Sequence, residues 1–559
     1  MLKRSRGEIL HFFIIPIVIG SIGGFSAIFF RKLIDFFSYL YNIFDIYHSN
    51  YFYILTMPFL FWVSNLLINK FLIDKTNVTI DNIAKKISLM SGKFSYIKGL
   101  FVLFLSSLSI GFGAPVGREA PIAKMGGILS EIFLKLTKTQ RIDLPIFLSA
   151  GISAAIAATF NAPIAGIIFG LEIIIGKINA YIVIPLMVSC VTATAIAREY
   201  IGNFTAFYVP PINYDDKYLI FIPFEAIFFS VICIIFLKSI RKFEFLRYKF
   251  RRKWSYIVLA IGFLVAVIII IEPHTKGVGY GFISQLYSDA YDKQDILFIF
   301  LLKIVGVVLS FGSGIFGGLM SPSIFIGSFG GYWFGDFFVN FGLDPKVFAI
   351  IGSSAMLAGV SKAPLRTSII MTELTHTYEL LLPILIASSI TGYLLSKSEP
   401  GSYFKRSLIQ KGIDLDNKLV ENYFEKCDLT KFLKKITPIS EDAGIREIRK
   451  IFRRYHVRYI PVIKDEKLVG IISLRDYRKK YLTKRRNIKA VDIMSHHPYY
   501  IKEGYSSKDI FKALSTLDVN LIPYTNKDGK YLGMIDISRL LKDISLSENV
   551  YKIKNSSNI

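Results

Sequence analysis

The sequence predicts an all-α, polytopic membrane domain followed by a soluble α/β tail, and three observations predict it. The 559 residues are 52% hydrophobic and include 48 Phe, far from the average globular mixture. Apolar runs approaching the roughly 20 residues needed to cross a bilayer core recur at His11 to Phe30, Tyr51 to Leu72, Tyr181 to Ala197, Tyr218 to Leu237, Tyr256 to Ile271, Ile296 to Leu309 and Leu380 to Leu395. Hydrophobicity then stops near Lys397, and the remaining residues, about 160 of them, carry an internal repeat of their own.

The first run has the basic flank of a signal peptide (Lys3, Arg4, Arg6), but it runs on too long and offers no small-residue cleavage site before Arg31 and Lys32. It reads as a retained span. Cys190, Cys233 and Cys427 have neither metal nor disulfide spacing and read as buried apolar thiols. The formal charge of +25 is concentrated in blocks such as "KSIRKFEFLRYKFRRKW" and "RDYRKKYLTKRRNIK". Between spans, such a block marks the cytoplasmic face through the positive-inside bias and attraction to anionic headgroups. The expected partner is therefore the lipid bilayer, and no nucleic acid is expected.

Two glycine and proline clusters interrupt the apolar runs, one from Gly111 to Gly127 around "GREAP" and one, "SFGSGIFGGLMSPSIFIGSFGG", from Ser310 to Gly331. Interrupted segments at corresponding points of two halves predict an inverted-repeat transporter with its site at mid-membrane, the halves being about 8–203 and 216–396. Helix breakers are tolerated at that depth only where the freed backbone is buried or lines a cavity. A proline in the first turn suits a helix that starts there, and the free amides and positive dipole end make an anion site. Starts at Pro121 and Pro322, and a third around Asn161-Ala162-Pro163, are expected to converge on one place. "GSIGG" at Gly20 to Gly24 reads instead as small-residue helix packing.

Glu119 is not explained by packing. An ionisable group in a span costs at least about 2.5 kcal/mol at the bilayer centre and is a functional residue by default. At a helix N-terminus it is itself an anion in an anion site, able to compete with a permeating ion. Arg118 beside it adds positive field or forms a structural ion pair. No nucleophile and base pair and no metal-spaced cluster points to an enzyme; Glu373 and His376 in "ELTHT" lack a second histidine nearby, and His376 reads as part of a helix end.

With these motifs in order, "GREAP", "FNAPIAGIIFGLEI", "GGLMSPSIFIG" and "MLAGVSKAPLRTSIIMTELT", the chain resembles the CLC family of chloride channels and chloride/proton exchangers, with Ala120 in place of the second glycine of the signature. The resemblance implies a CLC-type fold of two inverted repeats, many of its helices tilted and interrupted. It also implies a homodimer with one pore per subunit, and chloride or another small anion as the transported species. It makes Glu119 the gate, flanked by Gly117 and Arg118, and Leu319 and Met320 the donors of backbone amides to the central anion. The position of the family's central serine falls on Val78 in "NVTID", with Thr76 or Thr79 reachable by a shift of register. That of its central tyrosine falls on Phe404, with Tyr403 adjacent. Exchangers of the family commonly relay the proton through a second glutamate just after "FGLE", where this chain has Ile173, and Glu172 before it reads as structural. The loss of that position favours a passive, voltage- or pH-gated chloride channel; the alternative is chloride/proton antiport.

In the tail, helix, strand, strand, helix ("AGIREIRKIFRRYH", "YIPVI", "KLVGIIS", "LRDYRKKYL") returns as "SSKDIFKALSTLD", "NLIPYT", "KYLGMID", "ISRLLKDI", a period of about 65 residues. The doubled unit resembles a pair of CBS domains, which implies a cytoplasmic regulatory module. No cofactor is required; an adenine nucleotide at this pair is the one ligand the resemblance admits. Its pattern is met by Gly470, Ser473 and Asp476 in the first repeat, whereas the second has Asp536 and Arg539. A carboxylate facing phosphate repels it, so the nucleotide site and a purely structural pair both stand. A membrane-anchored nucleotide sensor is the competing function of another class. The expected boundaries are 1–400 for the membrane domain, 401–429 for a linker, 430–488 and 489–547 for the repeats and 548–559 for a tail.

Overall fold

The computed structural model describes residues 9–44, 51–71, 96–137, 144–175, 180–203, 205–212, 214–250, 253–398, 429–455, 457, 459–474, 476–477, 489–496, 498, 500–505 and 521–536. The chain divides into two units, one of residues 1–88 and 92–407 and one formed mainly by residues 408–559.

In the first unit the helices are α1 (Ile15–Phe44), α2 (Tyr53–Phe71), α3 (Tyr96–Gly111), α4 (Glu119–Leu136), α5 (Leu144–Phe160), α6 (Pro163–Phe169) and α7 (Ala180–Ile201). A second set follows: α8 (Tyr218–Lys249), α9 (Trp254–Ile271), α10 (Tyr280–Tyr287), α11 (Lys293–Ser313), α12 (Met320–Asp336), α13 (Pro345–Ser361), α14 (Pro364–Thr375) and α15 (Leu381–Ser398). Six helical segments among the described residues are long and apolar enough to cross a membrane. The chain is a multi-pass membrane protein.

The repeat is visible in the backbone. Gly113 and Gly314, both with positive φ (93° and 99°), stand 201 residues apart, as do Asn161 and Lys362, left-handed at 57° and 53°. Pro121 and Pro322, Pro163 and Pro364, and the first residues of α5 and α13 keep the same spacing. Each half therefore breaks its chain at the same two points, once before α4 or α12 and once before α6 or α14. The glycines permit the left-handed turn that ends the preceding helix.

Small residues let the helices approach closely. A Cβ on Gly20 would lie 2.5 Å from the Ser189 carbonyl oxygen, and one on Gly126 would lie 2.5 Å from that of Gly151. "GSIGG" is thus a packing stripe, its Gly20 and Gly24 against α7 and its Gly23 against α5. Cys190 and Cys233 are buried free thiols.

Among the described residues of the second unit two four-stranded sheets form. The hairpin of β3 (Tyr459–Lys464) and β4 (Lys467–Ser473), preceded by helix α16 (Ile445–Tyr455), belongs to one; that of β7 (Leu521–Thr525) and β8 (Tyr531–Asp536) belongs to the other. β1 (Leu433–Lys434), from the first repeat, pairs antiparallel with β8 of the second. The strand order is β1-β8-β7-β6 in one sheet, with β6 at Ile501–Lys502, and β2-β3-β4-β5 in the other, with β2 at Ile439–Ser440 and β5 at Ser495–His496. Each hairpin carries a register shift at the same place, Val462/Ile463 and Tyr524/Thr525. Asp465 and Glu466 make the first turn with φ of 47° and 61°, the two left-handed residues that a tight hairpin loop demands.

Candidate functional site

The two glycine clusters meet. Gly117 N–H donates to Gly318 O at 2.8 Å and Gly318 N–H to Gly117 O at 2.7 Å, an isolated antiparallel bridge that ties one half to the other. One residue further on in each half is the cap, Arg118 or Leu319, and then α4 or α12 begins. The starts predicted at Pro121 and Pro322 therefore do come together, with the unpaired first-turn amides of two helices at one buried place.

The third start is already occupied. The Glu373 carboxylate accepts from the amides of Ile164 (3.1 Å) and Ala165 (2.6 Å), so the N-terminus of α6 is already capped by a side chain of α14. The expected three-way convergence fails because those amides are taken. His376 is the left-handed C-cap of α14, a helix end as expected, and no metal-binding group of side chains is found among the described residues.

Glu119 is buried, 1% exposed, and its Oε1 accepts the Ser321 hydroxyl of the opposite half. Its Oε2 lies over the bridge, where a Cβ on Gly117 would stand 2.3 Å away and one on Gly318 2.9 Å away. Glycine is needed at both positions to leave room for the carboxylate. The Ser321 hydroxyl also bonds the hydroxyl of Tyr280, at 2.7 Å. The Arg118 guanidinium lies over the Tyr280 ring, 5.3 Å from its centroid. Of the two roles open to Arg118, the ion pair is not found among the described residues. Its Nε is buried without an acceptor there.

Leu319 and Met320 are both buried at the start of α12, and Met320 is the repeat counterpart of Glu119. Ile173 lies in the π-helical turn Gly170–Ile175 after α6; Glu172, one residue before it, acts electrostatically on Arg366. Val78, Thr76, Thr79, Tyr403 and Phe404 lie outside the described residues.

Three participants had escaped the sequence reading. Ser321 is in register with Ala120, 201 residues earlier, and alignment of the halves was the signal that could have found it. Tyr280 has no motif around it. Lys303 was passed over inside the apolar run Ile296 to Leu309; it is fully buried, and its Nζ donates to the carbonyls of Thr275 (2.8 Å) and Gly277 (2.9 Å). Gly277 N–H in turn bonds Gly113 O at 2.8 Å. Lys303 thus braces the loop that leads into Tyr280 against the loop that leads into Glu119.

Beside this centre a cavity of about 230 Å³ is lined by Arg31, Arg118, Arg198, Asn161, Thr205 and Tyr280, among others, and by no carboxylate among the described residues. Arg198 is held there by its Nε bond to Asn161 Oδ1 (2.6 Å). The three guanidinium groups give this cavity a basic lining beside Tyr280.

In the second unit the Gly470, Ser473 and Asp476 pattern is turned inward. Ser473 Oγ donates to Asp476 Oδ2 at 2.5 Å and accepts the Asp476 amide at 3.1 Å. Gly470 packs against Met494, whose sulfur would lie 2.4 Å from an added Cβ. Asp536 ends β8, and Arg539 lies outside the described residues.

Known proteins share this architecture. The H(+)/Cl(-) exchange transporter ClcA of Vibrio cholerae is 30% identical over 298 residues, covering 50% of this chain and 62% of the relative, so the chain matches less than two thirds of that relative's length. Among solved structures, that of a slow cyanobacterial Cl−/H+ antiporter is similar with a TM-score of 0.65 at 20% identity, over 72% of this chain and 97% of the other. That of a eukaryotic CLC transporter reaches 0.68 at 16% identity, over 94% and 97%. These two establish the fold. The CBS domain model matches residues 430–483 and 490–546. The model of the voltage gated chloride channel family matches residues 59–397, the greater part of the chain, and the chain belongs to that family.

Proposed function

We propose that this chain moves chloride across the membrane in exchange for protons, with Glu119 as both gate and proton carrier. The observation that carries the reading is the Glu119 carboxylate, buried where two helix starts meet and bonded by Ser321 of the other half. An ionised Glu119 occupies the positive end of both dipoles and excludes an anion from that place; a protonated one releases it. Ile173 at the usual relay position argues for a passive channel. The likeness to the Vibrio H(+)/Cl(-) exchange transporter and to the cyanobacterial Cl−/H+ antiporter favours exchange, and the exchange reading is preferred.

The test is flux in liposomes. A chloride gradient should drive measurable proton movement, and chloride flux should rise as pH falls. Glu119→Gln should keep chloride flux while abolishing both its pH dependence and the proton movement. Flux and pH dependence unchanged in Glu119→Gln would sink the gate assignment, and chloride movement without protons in the wild type would return the chain to the channel reading.

For the CBS pair the structural reading is preferred, because Ser473 and Asp476 satisfy one another. A cytoplasmic side for this pair agrees with the basic block that forms the end of α8, and a homodimer is what the family likeness implies. Sedimentation in detergent tests the dimer.

A further inference from the structure

Three arginines from separate parts of the first unit share one cavity. Arg31 belongs to the middle of α1, Arg118 caps α4, and Arg198 lies in the last turn of α7. With Asn161, Thr205, Tyr280 and others they enclose about 230 Å³, several times the ~30 Å³ that a single water takes up, and no carboxylate among the described residues lines it.

The acids nearest to these arginines are placed elsewhere. Asp35, one turn beyond Arg31 on α1, acts on it only through space, and Glu199 beside Arg198 is exposed. The Glu373 carboxylate is bonded to the amides of Ile164 and Ala165, and that of Glu119 to the Ser321 hydroxyl. Arg31 and Arg118 are close enough to repel one another, a cost that a shared counter-anion removes. The arrangement is no by-product of the repeat, because the counterpart of Arg118 in the second half is Leu319.

The donors are also oriented. Asn161, fixed in the left-handed turn before α6, accepts from Arg198 Nε at 2.6 Å, and its own amide nitrogen donates to Asn203 Oδ1 at 3.0 Å. The Arg198 guanidinium is thereby held in place, while its two terminal nitrogens bond no other described residue. The Arg118 guanidinium lies over the Tyr280 ring, and its Nε is buried without an acceptor among the described residues. A guanidinium presents pairs of N–H groups in a planar fork that fits two oxygens of one ion, a match that a spherical halide cannot make. Three such forks around a cavity of this size suit a polyatomic oxoanion with more than one charge.

We propose that this cavity binds one divalent tetrahedral oxoanion, of the sulfate or hydrogen phosphate kind, between Arg31, Arg118 and Arg198, and that its binding slows the passage of smaller anions. Two negative charges cancel most of the field of three cations, so chloride is drawn less strongly to the helix starts beside Arg118. The bound ion also lies against Tyr280, which bonds the same Ser321 hydroxyl that holds Glu119. Binding is expected whether or not protons move; only the slowing rests on the transport of chloride.

The full chain in detergent, titrated calorimetrically with sodium sulfate at fixed ionic strength, should bind one sulfate per chain. Arg198→Gln and Arg31→Gln should each weaken that binding about tenfold or more, and Arg198→Lys, which keeps the charge and loses the fork, should fall between. In liposomes of neutral lipid, the ratio of chloride efflux without and with sulfate should be about three for the wild type and close to one for Arg198→Gln. Arg31→Gln carries the test if Arg198→Gln does not fold. No sulfate binding, or binding equally tight in both glutamine variants, overturns the site. Full affinity in Arg198→Lys overturns the recognition of paired oxygens, and binding that leaves efflux unchanged overturns the slowing. A sulfate effect lost in vesicles rich in anionic phosphodiester lipid marks a headgroup as the occupant and overturns the dissolved ion. Wild-type protein that moves no chloride overturns the proposed function and the slowing with it, and the calorimetry then decides the site alone.

Discussion

A methyl group at Gly117 would lie 2.3 Å from Glu119 Oε2 and 2.9 Å from the Gly318 carbonyl oxygen. The carboxylate is the softer of these neighbours, so Gly117→Ala should expel it from its seat. The expected result is chloride flux that no longer falls as pH rises, together with a stability loss of about 1–3 kcal/mol from the backbone contact, read as a lower thermal midpoint. Lys303 makes a different point at the same scale. Lys303→Met keeps the bulk but leaves the Thr275 and Gly277 carbonyls without their donor, at a cost of about 1–3 kcal/mol, and loosens the loop before Tyr280. The expected readout is a lower melting point with a lower chloride turnover. Glu119 was legible in the sequence because a charge in an apolar run has no bland explanation. Lys303 was not, because a long aliphatic chain with its ammonium on carbonyls leaves the hydrophobic average of its helix almost unchanged. Tyr280 was illegible for another reason: its role depends on contacts to residues 41 and more positions away, which no local pattern carries.

Among elements, α6 is the instructive one. Its proline start resembles those of the two gate helices, yet the Glu373 carboxylate takes the amides of Ile164 and Ala165. Charge and hydrogen bonds together make such a cap worth about 1–2 kcal/mol. Glu373→Ala should lower the melting temperature accordingly, while the pH dependence of flux, which the proposed function assigns to Glu119, should stay as in the wild type. The sequence reading sent all three starts to one place because a helix N-terminus looks the same whether a ligand or a distant side chain completes it. The periodic apolar runs located α1, α2, α7, α8, α9, α11 and α15. They missed α5, whose Ala, Ser and Gly residues are buried on nearly every side; small residues read as weakly hydrophobic although they make the tightest helix contacts. In the second unit the hairpins were legible from their alternating Val, Ile and Tyr and their turn residues. The pairing of β1 with β8 was not, since a two-residue strand has no pattern of its own.

At the scale of the molecule, two compact units correspond to two kinds of chemistry. Every residue assigned here to anion or proton movement and described in the structure lies in the first, so a chain ended near Gly412 should still carry chloride, measured as liposome efflux. A membrane-anchored sensor would lose all activity on the same truncation. The repeat was visible in sequence only as two glycine-rich clusters; the 201-residue spacing of the left-handed residues makes it exact in register, with Gly113, Pro121 and Pro163 answered by Gly314, Pro322 and Pro364. The halves diverge where the two helix starts meet: Glu119 stands opposite Met320 and Ala120 opposite Ser321.

The reciprocal bonds between Gly117 and Gly318 constrain how such a machine can move. A carrier that opens by rocking its halves apart must pull them apart at the substrate, and here that would strip two buried backbone bonds at once, each costing about 1–3 kcal/mol to leave unmade. The midline of this protein is stitched directly beneath the Glu119 carboxylate. Under the exchange reading proposed above, alternation of access is expected to come from a swinging carboxylate within a nearly stationary frame, with turnover set by how often that one side chain leaves its seat.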